Sequence, residues 1–180
     1  IVWLSGVRRV GKTSLVRQLP KSLYLNCDLP SVVERAADPE QLLSIVREPT
    51  LVLDEIHQLP DPSRLLKIAA DTKPGLRICA TGSSTLAATR KFRDSLTGRK
   101  QAVHLLPVLA EELPAFGVAD IRRRLLHGGL PALLLEDRPA AETYSEWLDS
   151  FFARDVQELF RVEKRGAFLR MVELLLRQSG

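Results

Sequence analysis

The stretch that most constrains this chain is residues 1–19, IVWLSGVRRVGKTSLVRQL. Ile1 to Leu4 form an apolar run that reads as a buried strand, and it leads directly into Gly6, Val7, Arg8, Arg9, Val10, Gly11, Lys12 and Thr13. That is G-x-x-x-x-G-K-[ST], the Walker A phosphate-binding loop, followed from Ser14 by the first turns of a helix. Leu15, Val16 and Leu19 are expected on its inward face. Gly6 and Gly11 allow backbone angles and close approaches that a Cβ would block. The N–H groups of the loop, through Ser14, are expected to point at phosphates. Lys12 would reach the β- and γ-phosphates, and the Thr13 hydroxyl would hold Mg2+. Eight residues can match by chance, but a match set between a strand and a helix rarely does.

Charge is distributed in keeping with that ligand. Residues 1–100 hold 16 basic and 10 acidic side chains, whereas residues 101–180 hold 10 and 12. The positive excess lies with the phosphate-binding half, and it is too modest to establish a nucleic-acid partner. A hydrophobic content of 45% with 27% charged residues is that of a soluble globular chain. No apolar run reaches the length of a membrane span, so no membrane partner is expected. The chain starts inside a strand and reads as a trimmed piece, so targeting information can have gone with the missing residues. Cys27 and Cys79 have no metal-site spacing and fall in expected strands, which fits a reducing cytoplasm.

Further strands are expected at residues 22–27, 50–56, 76–80 and 101–106. Between them come helical patterns at 31–48 (broken at Asp38-Pro39), from Asp61-Pro62 to Pro74-Gly75, and at 85–97. Leu42, Leu43, Ile45 and Val46 would form one apolar face, and Leu65, Leu66, Ile68 and Ala69 another. This alternation predicts an α/β fold on a parallel sheet with right-handed crossovers. Ligands of such sheets sit at the carboxyl ends of the strands, where Gly6, Asp54, Glu55, Thr81 and Ser83 all fall. From residue 109 onward the strands stop. Short helices are expected at 111–116, 120–126 and 131–135, then a long amphipathic helix at 140–162 and another at 167–177. The expected division is a core over 1–108 and a helical lid, with the start of a further region, over 109–180.

Asp54-Glu55 closes an apolar strand, which is the Walker B arrangement. Asp54 would belong to the Mg2+ shell, and Glu55, one residue on, would polarise the attacking water, favouring hydrolysis over transfer to an acceptor. Thr81 and Ser83 offer hydroxyls that can touch the γ-phosphate or that water, although Thr-Gly-Ser-Ser also describes a simple turn. Arg90, Lys91, Arg93, Arg99 and Lys100 are mostly expected as solvated charges, with Arg99 set apart by its place after Gly98, where it can stabilise transferring phosphoryl charge. His57 reads as a polar loop residue near Glu55, and three scattered histidines make no metal site.

With these residues placed, the chain resembles the AAA-type P-loop ATPases of the ASCE division, among them prokaryotic ATPases with a C-terminal winged-helix or uncharacterised domain. The resemblance rests on GVRRVGKTS (6–14), YLNCD (24–28), LVLDEIHQLP (51–60), TGSS (81–84), SLTGR (95–99) and GGLP (128–131). It implies a three-layer P-loop sandwich with a five-stranded parallel sheet in order 5-1-4-3-2, followed by an all-helical lid. It also implies ATP or ADP with Mg2+. Arg99 would be an arginine finger acting on a neighbouring subunit of a homo-oligomer, and Pro131 would approach the nucleotide from the lid. The expected function is an ATP-hydrolysing switch or motor for a missing C-terminal domain. Its rivals are a small-molecule or nucleotide kinase and an ATP-ordered DNA-binding or DNA-loading module, for which Arg122-Arg123-Arg124 and the 90–100 cluster would be the surface.

Overall fold

The computed structural model describes residues 1–83, 98–138, 141–157 and 162–178. The helix expected at 85–97, with Arg90, Lys91 and Arg93, lies outside the described residues, as do Ala140 and Leu159. Two compact units divide between residues 138 and 139.

The first unit is built on five parallel strands: β1 (Val2–Gly6), β2 (Ser22–Asn26), β3 (Thr50–Asp54), β4 (Arg77–Ser83) and β5 (Gln101–Leu105). Their order across the sheet is β2-β3-β4-β1-β5, the expected order read from the other edge. β3 lies between β2 and β4 and is buried throughout, which is why Leu51 to Leu53 form an unbroken apolar run up to Asp54. Helices α1 (Lys12–Val16), α2 (Pro30–Ala36), α3 (Pro39–Ile45) and α4 (Pro62–Thr72) form the crossovers. Asp38 and Asp61 cap α3 and α4 by accepting backbone N–H bonds, and a proline follows each at the first helical position. Alternate strand residues serve two cores. Trp3, Leu51, Leu53, Ile78 and Ala80 pack with α2, α3 and α4, while Leu4 and Val52 pack with Val16 of α1.

Several expectations are corrected. Of the three apolar residues expected on the inward face of α1 only Val16 is buried; Leu15, within the helix, and Leu19, beyond its end at Val16, are exposed. Ile45 is exposed as well, because α3 ends there and the chain turns to extended backbone at Val46. β3 stops at Asp54, because Glu55 adopts a left-handed backbone (φ 54°) that opens a short 3-10 turn, Ile56–Gln58. β4 runs on to Ser83, where Thr81, Gly82 and Ser83 pair with Leu4, Ser5 and Gly6. Thr81 is therefore a strand residue and not part of a turn.

After β5 the chain forms a 3-10 segment (Ala110–Phe116), α5 (Ile121–His127) and α6 (Pro131–Leu135) around Val108, Leu113, Val118 and Leu134. In the second unit, α7 (Ala141–Phe151) passes into a π-helical turn (Phe152–Gln157), and α8 (Arg165–Gln178) follows. The long helix expected over 140–162 thus changes its hydrogen-bonding register at Phe152. Within this unit Trp147 stacks on Phe151 and Phe152 packs against Phe168, with ring centroids 5.3 and 5.2 Å apart. No helix among the described residues is long and apolar enough to cross a membrane.

Candidate nucleotide-binding site

The loop between β1 and α1 lies at the carboxyl edge of the sheet. Gly6 is dictated by its neighbours: a Cβ there would sit 2.6 Å from the Leu105 carbonyl oxygen and 3.0 Å from Val10 Cγ1. Gly11 has φ +102°, where any other residue is strained. Arg9 also takes a positive φ of 62° and is exposed, Arg8 is half-buried, and Val10 is buried. Lys12 is buried, and its ammonium donates to the Gly6 carbonyl at 2.9 Å and the Val7 carbonyl at 3.1 Å, so it is folded inside its own loop. Ser14 is exposed.

Asp54 is the centre of the polar network. It is 2% exposed at the end of the most buried strand, and three hydroxyls converge on its carboxylate. The Thr13 hydroxyl donates to Oδ2 at 2.8 Å, the Tyr24 phenol donates to Oδ2 at 2.6 Å, and the Thr81 hydroxyl donates to Oδ1. Thr81 is fully buried, and its oxygen also accepts the backbone N–H of Glu55 at 3.0 Å. The Glu55 side chain is partly exposed and turns toward His57, with Oε2 3.3 Å from Nδ1.

Tyr24 is the residue that sequence reasoning missed. It stands on β2 opposite Val52, and from there it reaches diagonally to Asp54 two positions on. The Arg17 guanidinium lies 4.8 Å from the ring centroid and 3.5 Å from the phenol oxygen. Burial pushes the Tyr24 phenol up, and its bond to Asp54 adds to the shift. Tyr24 belongs to the YLNCD stretch, but nothing in one sequence shows which strand pairs with it or in what register. Cys27, just past β2, hydrogen-bonds through its N–H to the Asp54 carbonyl, and burial pushes its thiol up to about 12.

The other candidate residues divide. Pro131 comes to the loop: its Cγ is 3.8 Å from where a Cβ on Gly11 would stand. The connection is held by the Val108 N–H donating to the Gly129 carbonyl and by Arg124 Nε donating to the Val108 carbonyl. Arg99 does not come to it. Arg99 precedes β5 at the amino edge, where the Ile1 amino group donates to the Arg99 carbonyl and the guanidinium pairs with Asp71 at 2.5 Å. Five strand residues separate that edge from Gly6, or roughly 16 Å. Of the three consecutive arginines in α5, only Arg122 is exposed. Arg123 donates to the Leu134 and Glu136 carbonyls and so closes the end of α6, and Arg124 is held as above. His127 is buried against the Leu133 carbonyl, and His104 is exposed on β5. Among the described residues no group of three or more His, Cys, Asp or Glu side chains is placed to hold a metal ion.

A strand-to-loop phosphate motif, a buried lysine and a strand-end aspartate under a threonine hydroxyl are now in one place, and residues 1–113 match the AAA domain family. The chain belongs to that family. Two solved structures are similar to the chain. One is a DNA replication initiation factor, at 14% identity and TM-score 0.39, covering 90% of this chain and 57% of the other. The second is Drosophila ORC bound to DNA, at 16% identity and TM-score 0.41, covering 87% of this chain and 51% of the other. The chain therefore spans little more than half the length of either neighbour. No curated protein matches it in sequence.

Proposed function

We propose that the chain binds and hydrolyses Mg2+·ATP and acts as a conformational switch for a further domain. The observation that carries this reading is the meeting of Thr13 and Asp54 at 2.8 Å beside Lys12. A hydroxyl and a carboxylate are the hard oxygen donors that Mg2+ takes together with nucleotide phosphates, so the residues present fit the ion. A hydroxyl has one proton and two lone pairs, so Thr13 can offer a lone pair to a cation while still donating to Asp54. When bound, the ion would neutralise phosphate charge.

Each side chain then has a task. The backbone of Gly6 to Ser14 surrounds the phosphates, and Lys12 exchanges the Gly6 and Val7 carbonyls for β- and γ-phosphate oxygens. Glu55 takes the proton of the attacking water as its oxygen bonds to the γ-phosphorus and the bond to ADP breaks. Thr81 holds Asp54 and the Glu55 backbone in register. Pro131 carries the state of the loop to the helices beyond β5. Arg99, remote from its own loop, acts on the site of a neighbouring copy. The two free cysteines, one fully buried, fit a reducing cytoplasm. The arginine surface invoked for DNA binding is reduced, since Arg123 and Arg124 are engaged within the fold.

The test pairs two variants. Lys12→Ala should abolish fluorescent-nucleotide binding. Glu55→Gln should bind ATP normally while phosphate release slows by roughly 10²-fold or more. Equal nucleotide affinity for Lys12→Ala and parent ends the phosphate-loop reading. Normal turnover in Glu55→Gln makes Glu55 structural and turns attention to a phosphorylated acceptor among the products.

A further inference from the structure

The Thr13 hydroxyl can present a lone pair to a cation only while its single proton is directed elsewhere, and Asp54 Oδ2 takes that proton. The orientation of the Asp54 carboxylate therefore sets the direction in which Thr13 offers its oxygen. Two other groups fix that orientation, Thr81 on Oδ1 and Tyr24 on Oδ2. Thr81 comes from β4 on one side of β3, and Tyr24 comes from β2 on the other. Arg17, at the end of α1, lies over the Tyr24 ring and limits its movement.

We propose that Tyr24 is a positioning residue for the cation site, acting through Asp54, which its phenol holds in the orientation that lets Thr13 face a divalent ion. The assignment rests on the reading that Thr13 and Asp54 hold Mg2+ together with nucleotide. Tyr24 supplies no ligand atom. Its contribution is a charge-assisted hydrogen bond that stops a nearly buried carboxylate from rotating, and Arg17 links that bond to the helix that follows the phosphate loop.

The experiment measures affinity for fluorescent ADP on the 180-residue chain with and without Mg2+. Tyr24→Phe keeps the ring beneath Arg17 and removes only the donor. Its Mg2+-free affinity should stay within about twofold of the parent, while the gain in affinity on adding Mg2+ falls by roughly tenfold or more, as expected for loss of a group that orients a metal ligand. In an Asp54→Asn background the same substitution should change nothing further, because the two act as one unit. Should Tyr24→Phe fail to fold, Arg17→Met, at an exposed position, gives the same readout, with a loss of severalfold expected. An unchanged Mg2+ gain in Tyr24→Phe or Arg17→Met, or losses that add in the double variant, overturns the assignment and leaves the cation reading standing. A parent chain that binds ADP with no gain from Mg2+ overturns both.

Discussion

Thr81→Val isolates one buried hydroxyl at constant shape. In the folded chain that oxygen is fully buried, donates to Asp54 Oδ1 and accepts the Glu55 N–H, so the substitution strips one donor from an ionised carboxylate and one acceptor from a backbone amide. A hydrogen bond to a charged group contributes about 1.5–3 kcal/mol, and an orphaned buried amide costs about 1–3 kcal/mol. The valine methyl recovers part of this by apolar burial, so a net loss of about 2–3 kcal/mol is expected. For a chain of this size that lowers the melting temperature by roughly 5–10 °C. Thr81→Ser is the control: it keeps both hydrogen bonds, loses a methyl and should cost about 1 kcal/mol. Urea unfolding followed by Trp fluorescence measures both variants, since Trp3 lies in the sheet core beside β4. Equal stability of the valine and serine variants would refute the argument. So would a valine variant as stable as the parent that had lost only its preference for ATP over ADP, because that is what a γ-phosphate sensor would show.

Two further perturbations test other parts of the molecule. Arg99→Ala should leave nucleotide affinity intact and lower turnover that rises with protein concentration, and mixing it with Glu55→Gln should restore part of the activity; Asp71→Ala, which breaks the same exposed ion pair, should have no such effect, and identical behaviour of the two variants would reduce Arg99 to a surface charge. Burial raises the Cys27 thiol from its ordinary 9.0 to about 12, so the folded chain keeps a proton that the unfolded chain releases. Stability from this group is complete below about pH 9 and is lost as pH climbs toward 12. Cys79 and Tyr24, also raised, act in the same direction. Cys27→Ala should therefore flatten the alkaline fall in melting temperature, and an unchanged slope would show that other groups govern it.

The sheet was legible because an interior parallel strand must be apolar on both faces, and residues 51–53 are. The turn between β1 and α1 was legible because its glycines answer to local constraints. Pro131 was expected to approach the nucleotide from the lid, and the structure sets its Cγ 3.8 Å from where a Cβ on Gly11 would stand. What could not be read was register. Thr81 was expected just past the end of β4 with its hydroxyl offered to the γ-phosphate or the attacking water, yet pairing with β1 keeps it in the strand and its hydroxyl donates to Asp54. Tyr24 reaches Asp54 only through the diagonal alignment of β2 on β3. Arg123 and Arg124 looked like surface charge because a sequence does not show which backbone carbonyls a folded helix leaves open. Leu19 failed for a different reason, because α1 stops at Val16 before reaching it, while Leu15 lies within α1 on a side left exposed.

The polar groups of the site fall into two sets that binding should treat differently. Thr81, Tyr24 and Asp54 are bonded to one another, and nothing in the proposed chemistry asks them to part, so their loss should appear first in stability and in the response to Mg2+. Lys12 is bonded to two carbonyls of its own loop, which are neutral acceptors. Phosphate oxygens are charged acceptors, and charge-assisted bonds are roughly twice as strong, so on the proposed function they compete well with the Gly6 and Val7 carbonyls for the ammonium. Nucleotide binding on this view is a substitution of partners at Lys12 against a scaffold at Asp54 that stays in place, and the coupling between them runs through Thr13, the neighbour of the one and the hydrogen-bond donor to the other.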